Sequence, residues 1–248
     1  MDLSNHRLTR AFVLDFGTFD VGPGKRRIGI PGFLLQTDQG ANILIDTGFP
    51  PAYADGPEAA RRDTIATFGH LINFTTANTA AGQLARLNLA AADIDLVILT
   101  HSHIDHVGSL PLFACPVALT AAERAEPKPL YFGSHRPMDW PDTEYLTLTR
   151  DTEICHGLTL IPTPGHTQGH LSALLTLPHP VILAADAINR ASEPGEGFPD
   201  AMDPRIAAQS AARLFALQAQ HQAQMIYGHD PAQWLTLPRA PMPLTPLP

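Results

Sequence analysis

"ILTHSHIDHVGS" (residues 98–109) gathers His101, His103, Asp105 and His106 within six positions. It continues the apolar run "DIDLVILT" (93–100), which reads as a buried strand. In an extended chain residues two apart project to the same side, so His101 and His103 present two imidazoles together as that strand ends. Asp105 and His106 follow where the chain turns toward "VGSLPLF", in what reads as the first turn of a helix. Without a cation, three imidazoles and a carboxylate this close would repel or be left unpaired. The segment therefore reads as part of a metal site. A single zinc takes about four ligands, so a pair of metals sharing a hydroxide needs donors from elsewhere.

Those donors stand at the ends of other strand-like runs. His166 follows "LTLIPTPG", Asp186 ends "VILAAD", and His229 follows "QMIYG". Ligands at strand ends are rigidly based yet lie at one rim of a sheet, where a cleft can open. Asp186 has two oxygens and so can reach two cations. Alone, His166 or His229 would read as an ordinary polar residue. Beside the HxHxDH segment they complete a set of seven.

The rest of the chain supplies the frame. "AFVLDF" (11–16), "GFLLQT" (32–37) and "NILIDT" (42–47) read as strands, the last two joined by the turn "DQGA" into a hairpin. "TAAGQLARLNL" (79–89) has helical spacing. "EYLTLT" (144–149), "LTLIPT" (158–163), "LSALLTL" (171–177), "VILAAD" (181–186) and "QMIYG" (224–228) add strands. "DPRIAAQSAARLFALQAQ" (203–220) is the clearest helix, with Asp203 as its cap and Pro204 in its first turn. No linker divides the chain, so residues 1–248 are expected to form one domain, with an extended proline-rich tail from about residue 238.

Composition bounds the function. A hydrophobic share of 44% against 16% charged residues marks a globular chain able to bury a core. The net charge of −8 argues against nucleic-acid partners, which draw on a basic face. No run of about 18 apolar residues is present, so no membrane span is expected. "MDLSNHRLTR" lacks a signal-peptide apolar region, which makes the cytoplasm the expected compartment. Cys115 and Cys155 share no CxxC spacing and read as two idle or buried thiols. "GPGKRR" (22–27) lacks P-loop spacing and reads as a loop over the cleft. His170 reads as a core or supporting histidine, and Trp140 and Trp234 as core or cleft aromatics.

HxHxDH followed by a later His, Asp and His resembles the metallo-β-lactamase superfamily of hydrolases, over nearly the whole chain from "GFLLQTDQGANILIDTG" to "GHDPAQW". The resemblance implies an α/β fold, an αββα four-layer sandwich with a dinuclear site at the rim between two sheets. It also implies that Asp46 of "IDTG" supports the ligands from behind. His106 to His166 is 60 residues, His166 to Asp186 is 20, and Asp186 to His229 is 43. This spacing is similar to that of N-acyl-homoserine lactone lactonases, as are "PGK", "TPGHTQGH", "MDPRIAAQSAARL" and "GHDPAQW". By that resemblance His101, His103 and His166 hold one metal. Asp105, His106 and His229 hold the other, and Asp186 lies between. True β-lactamases lack a bridging aspartate there, which argues against an antibiotic-degrading role.

One position departs from the lactonase pattern. A tyrosine three residues after the bridging aspartate helps bind and polarise the lactone carbonyl in that family, and here Asn189 stands in its place. An amide can donate to a developing oxyanion, so Asn189 is a catalytic candidate. Tyr53, Tyr131, Tyr145 and Tyr227 are the only phenols that could replace the missing one.

The expected reaction is opening of a lactone ring by attack of a metal-bridging hydroxide on the ester carbonyl, with Asp105 shuttling a proton to the leaving oxygen. Two divalent cations are the expected cofactors. Zinc is the default, and iron, cobalt or manganese also suit the donor set. The expected partner is a small lactone or ester, with the protein a monomer or homodimer. The rival readings are another lactone, ester or phosphotriester hydrolase, a glyoxalase II-like thioester hydrolase, and an iron oxidoreductase. A nucleic-acid-processing relative or a non-catalytic metal-binding protein fits less well.

Overall fold

The apolar runs become strands because both of their faces are buried, and alternate side chains go to different cores. The computed structural model describes residues 2–21, 26–131 and 135–244. One sheet contains β1 (Leu8–Asp20), β2 (Arg27–Thr37), β3 (Asn42–Ile45), β4 (His70–Ile72), β5 (Leu96–Ile98), β6 (Val117–Thr120) and β7 (Tyr145–Leu148), in the order β4-β1-β2-β3-β5-β6-β7. The other contains β8 (Thr152–Cys155), β9 (Leu158–Pro162), β10 (Leu171–Leu175), β11 (Val181–Ala185) and β12 (Gln224–Tyr227), in the order β12-β11-β10-β9-β8. The expected hairpin forms, with β2 and β3 antiparallel and Phe33 opposite Ile45.

The period of two sorts the side chains into layers. Val13, Phe33, Leu35, Ile43 and Ile45 meet Leu160, Ala173, Leu183 and Ile226 in a core between the sheets. Phe12, Leu14, Leu34 and Leu44 point the other way, into a second core that includes Ala80 and Leu84. On the far face of the smaller sheet, Ile161, Leu174, Ile182 and Ala184 pack against Ala207, Ala211 and Leu214. Helix, sheet, sheet and helix therefore stack as four layers, the αββα sandwich that the resemblance implied.

Helices fill the connections, all short but α6: α1 (Pro57–Arg62), α2 (Ala80–Ala85), α3 (Ile104–Val107), α4 (Ala121–Arg124), α5 (Glu193–Glu196), α6 (Pro204–His221) and α7 (Pro231–Thr236). The helix expected over 79–89 is shorter, because the chain leaves helical geometry at Asn88, whose φ is 57°. The helix expected over 203–220 forms as α6. Asp203 accepts from the Ile206 N–H at 3.0 Å and Pro204 occupies the first turn. The described part of the tail lies along β1, with Ala240 N donating to Val13 O at 2.8 Å and Leu244 N to Ala11 O at 2.7 Å. Residues 22–25 of the expected cleft loop, and 245–248 of the tail, lie outside the described residues. Cys115 and Cys155 are both free. No helix among the described residues is long and apolar enough to cross a membrane.

Candidate metal centre

Five chain segments converge where β3, β5, β9, β11 and β12 end. His101 and His103 leave β5, Asp105 and His106 begin α3, His166 follows β9, Asp186 follows β11 and His229 follows β12. All seven side chains expected from the sequence meet here. They form three groups whose donor atoms lie within 4.8 Å of one another: His101, His103 and His166; Asp105, His106 and His229; and His101, His106 and Asp186.

His103 Nδ1 lies 3.1 Å from His101 Nε2 and 3.0 Å from His166 Nε2. Ligands about 2.0–2.1 Å from a tetrahedral zinc are separated by about 3.3–3.4 Å, so the first triad has nearly the spacing of a closed ligand set. Asp186 spans both groups. Its Oδ2 is 3.3 Å from His166 Nε2 and 3.9 Å from His101 Nε2. Its Oδ1 is 3.2 Å from His229 Nε2 and 3.6 Å from His106 Nε2. Asp105 Oδ2 is 3.6 Å from both His106 Nε2 and His229 Nε2.

The supporting bonds decide which nitrogen of each ring faces inward. Asp46 Oδ2 accepts from His106 Nδ1 at 2.8 Å, leaving the His106 Nε2 lone pair toward the cluster. Thr100 donates its hydroxyl to Asp46 Oδ2 at 2.8 Å, so at His101 Nδ1, 3.1 Å away, the same oxygen can only accept. That turns the His101 Nε2 lone pair inward as well. His229 Nδ1 donates to Gly29 O at 2.9 Å with the same result. His106 Nε2 and Asp186 Oδ1 are buried with no hydrogen-bond partner. Inward lone pairs and an orphaned carboxylate oxygen are costly without a positive charge among them, so the donor set fits two divalent cations.

The backbone is strained at two of these supports. Asp46 has φ 61° and Ala185, immediately before Asp186, has φ 46°. Left-handed conformations of this kind cost of order 1 kcal/mol or more and persist only where the surroundings over-determine them. Gly228 permits the approach of β11 and β12, because a Cβ there would lie 2.6 Å from Asp186 Oδ1.

Without cations the rings differ in charge. Burial lowers His101 and His166 well below the usual histidine range and His103 to about 4. Burial also acts on His106, but Asp105, Asp46 and Asp186 outweigh it and raise the ring to about 10. At His229 burial is likewise overcome, by Asp186 and Asp105, and the ring is raised. Burial would raise Asp186, but His229, His106 and His166 hold it well below the carboxylate range.

The cluster opens into a cleft of about 550 Å³. His103, Asp105, His166, Asp186 and His229 form its floor, and Phe19, Ile28, Phe49, Phe68 and Leu130 supply apolar walls. This size suits a small organic ligand. None of Tyr53, Tyr131, Tyr145 and Tyr227 lines it among the described residues. Tyr53 donates to Asp63 Oδ2 at 2.6 Å and Tyr145 to Pro141 O at 2.7 Å. Asn189 does line the cleft. Its Nδ2 donates to Glu193 Oε1 at 3.3 Å, its backbone N–H donates to Glu193 Oε2, and its Oδ1 is buried without a partner. Donation to an oxyanion would therefore use the second Nδ2 hydrogen.

Several participants carry no motif in the sequence. Arg190 is gripped by Glu196 and by Asp200 at 3.1 Å, and Asp200 also binds Arg26 at 2.8 Å across the cleft mouth. Glu123, 1% exposed, bonds to Ser102 and Thr167 beside the ligands. Its only signal was Thr120-x-x-Glu123, which reads as a helix capping box. His170 is buried beside the first triad, with Nδ1 2.9 Å from Thr163 Oγ1, and burial lowers it to about 3.

The chain is similar to several known proteins. The model of the metallo-beta-lactamase superfamily matches residues 30–229. An N-acyl homoserine lactonase of a Bacillus species is 30% identical over 208 residues, covering 80% of each chain. The N-acyl homoserine lactonase AttM of Rhizobium radiobacter is 28% identical over 232 residues, 86% of each chain. Among solved structures, a mutant of Bacillus thuringiensis AiiA with N-decanoyl-L-homoserine bound superimposes with a TM-score of 0.84 at 22% identity. The match covers 96% of this chain and 100% of that one. AidC, a dizinc quorum-quenching lactonase, gives a TM-score of 0.63 at 17% identity over 93% of this chain and 92% of that one.

Proposed function

The chain belongs to the metallo-beta-lactamase superfamily, and from that premise we propose that it is a dinuclear metal-dependent lactonase that opens N-acyl homoserine lactones. The observation that carries this reading is Asp186, whose two oxygens face different triads, Oδ2 toward His101 and His166 and Oδ1 toward His106 and His229. A carboxylate so placed could serve two cations at once. The names of the relatives and the apolar-walled cleft support the substrate class.

His101, His103 and His166 would hold one cation and Asp105, His106 and His229 the other, with Asp186 a donor to both. Bound there, the cations supply Lewis acidity and water that ionises near neutral pH, with zinc the default and iron, cobalt or manganese alternatives. The protein supplies the rest. Asp46, Thr100 and Gly29 keep the ring nitrogens aimed. Phe19, Ile28, Phe49 and Leu130 receive the acyl chain and exclude water from it. Asp105, at the floor of the cleft, carries the proton to the departing ring oxygen. Asn189 offers its second amide hydrogen to the developing oxyanion, and its unpartnered Oδ1 to an N–H of the substrate.

Metal quantification on the purified protein, paired with a pH-stat assay on short- and long-chain acyl homoserine lactones, tests the reading. The expected result is two cations per chain and acid release without free homoserine lactone. Full turnover in metal-depleted protein, or release of free homoserine lactone, would overturn it. Hydrolysis of S-lactoylglutathione in place of lactones would move the assignment to thioesters.

A further inference from the structure

Glu123 lies in α4 and does not line the cleft, yet it touches both loops that carry the first triad. Its Oε1 accepts from the Ser102 N–H at 2.8 Å and from the Ser102 hydroxyl, and its Oε2 accepts from the Thr167 hydroxyl at 2.8 Å. Ser102 sits between His101 and His103, and Thr167 follows His166. In a capping box the glutamate would reach back to the N–H of Thr120. Here the carboxylate is directed across to the ligand loops instead. Thr120 reinforces the link by donating to Gly169 O at 2.6 Å, and a Cβ at Gly169 would lie 2.2 Å from Glu123 N. The 163–170 loop is thus pressed directly onto this turn. On the other side, Ser102 Oγ accepts from Leu130 N at 3.0 Å and Ser102 O from Tyr131 N at 2.9 Å, so the loop has little freedom of its own. A buried carboxylate is expensive to maintain, and burial raises Glu123, with the Ser102 and Thr167 donors opposing that shift.

We propose that Glu123 is a positioning residue that sets the spacing of His103 and His166, and with it the affinity for the cation held by His101, His103 and His166, while leaving the Asp105, His106 and His229 side intact. The proposal rests on the ligand assignment above. Its test reads metal binding and not turnover. The chelator-stripped full chain is titrated with zinc against a chromophoric competitor, giving two dissociation constants, and thermal melts followed by circular dichroism establish that each variant is folded.

Glu123→Ala is expected to weaken one constant by about 10–100-fold, the usual effect of losing a ligand's outer support, and to leave the other within about threefold. Glu123→Gln, which keeps an acceptor for Ser102 and a donor for Thr167, restores most of the loss. Thr167→Val weakens the same constant, and combined with Glu123→Ala it adds little further, because the two partners form one interaction. Placing Glu123→Ala in a His229→Ala background identifies the affected site, since the remaining first-triad constant must weaken. In a His166→Ala background the remaining constant must not change. Equal weakening of both constants, no weakening, or additive Glu123→Ala and Thr167→Val effects would overturn the proposal. A native chain with fewer than two zinc sites would overturn it together with the ligand assignment. Two normal constants in a protein that opens no lactone would overturn only the substrate reading.

Discussion

The two halves of the centre use the same residue types and differ in charge. In the first, His101, His103 and His166 face mainly one another, burial dominates, and the rings are held neutral, His103 at about 4. In the second, His106 is ringed by Asp46, Asp105 and Asp186 and is raised to about 10, and His229 is raised by Asp186 and Asp105. An imidazole's readiness to take a cation is therefore set by the balance between its burial and the carboxylates near it. The first triad is ready as it stands. The second must shed the His106 proton before it can bind.

Asp186 is what the halves share, so removing it makes the largest change. Asp186→Ala should cost both cations and lower activity about a thousandfold or more, since Lewis-acid assistance is worth several kcal/mol. Elemental analysis beside the rate would show it, and a variant keeping both metals would break the idea of a shared carboxylate. A smaller effect is expected at Asp46, which holds His106 directly and His101 through Thr100. Asp46→Ala should weaken the cation at His106 by about 10–100-fold and the other less. The two zinc constants read by competition measure this. Selective loss at the first triad would reverse the assignment.

The subtlest difference is a count of protons. At pH 8 the second triad should release at least one proton on loading, from His106, and the first none. The sign follows from the raised rings: protons compete with cations below a pKa of about 10 at His106, so affinity rises with pH up to that value. Calorimetric titration in buffers of different ionisation enthalpy counts the protons. Zero release would erase the contrast between the halves.

Much of this was legible in the chain. The strand runs appear as β1, β2, β3, β5, β7, β9, β10, β11 and β12, and HxHxDH occupies the end of β5 and the start of α3. The strand expected over 93–100 shrinks to Leu96–Ile98, because Ala91–Asp93 form a 3-10 turn before it and Thr100 turns to bind Asp46 through both its N–H and its hydroxyl after it. Edge strands β4 and β8 and the parallel strand β6 carried too few alternating positions to read. The phenol question was open from sequence, and packing answers it by keeping all four tyrosines out of the cleft lining among the described residues.

By itself the sequence carried the strand runs, the HxHxDH segment and seven candidate donors, because strand periodicity and that motif's spacing are local properties of the chain. The family and the sandwich came through the resemblance those residues carry. Tertiary structure alone decided which carboxylates crowd which rings and that Glu123 joins Ser102 to Thr167. Those facts depend on groups tens of residues apart meeting at distances of about 3 Å, and burial then sets their charge. Nothing in the local spacing of residues encodes either.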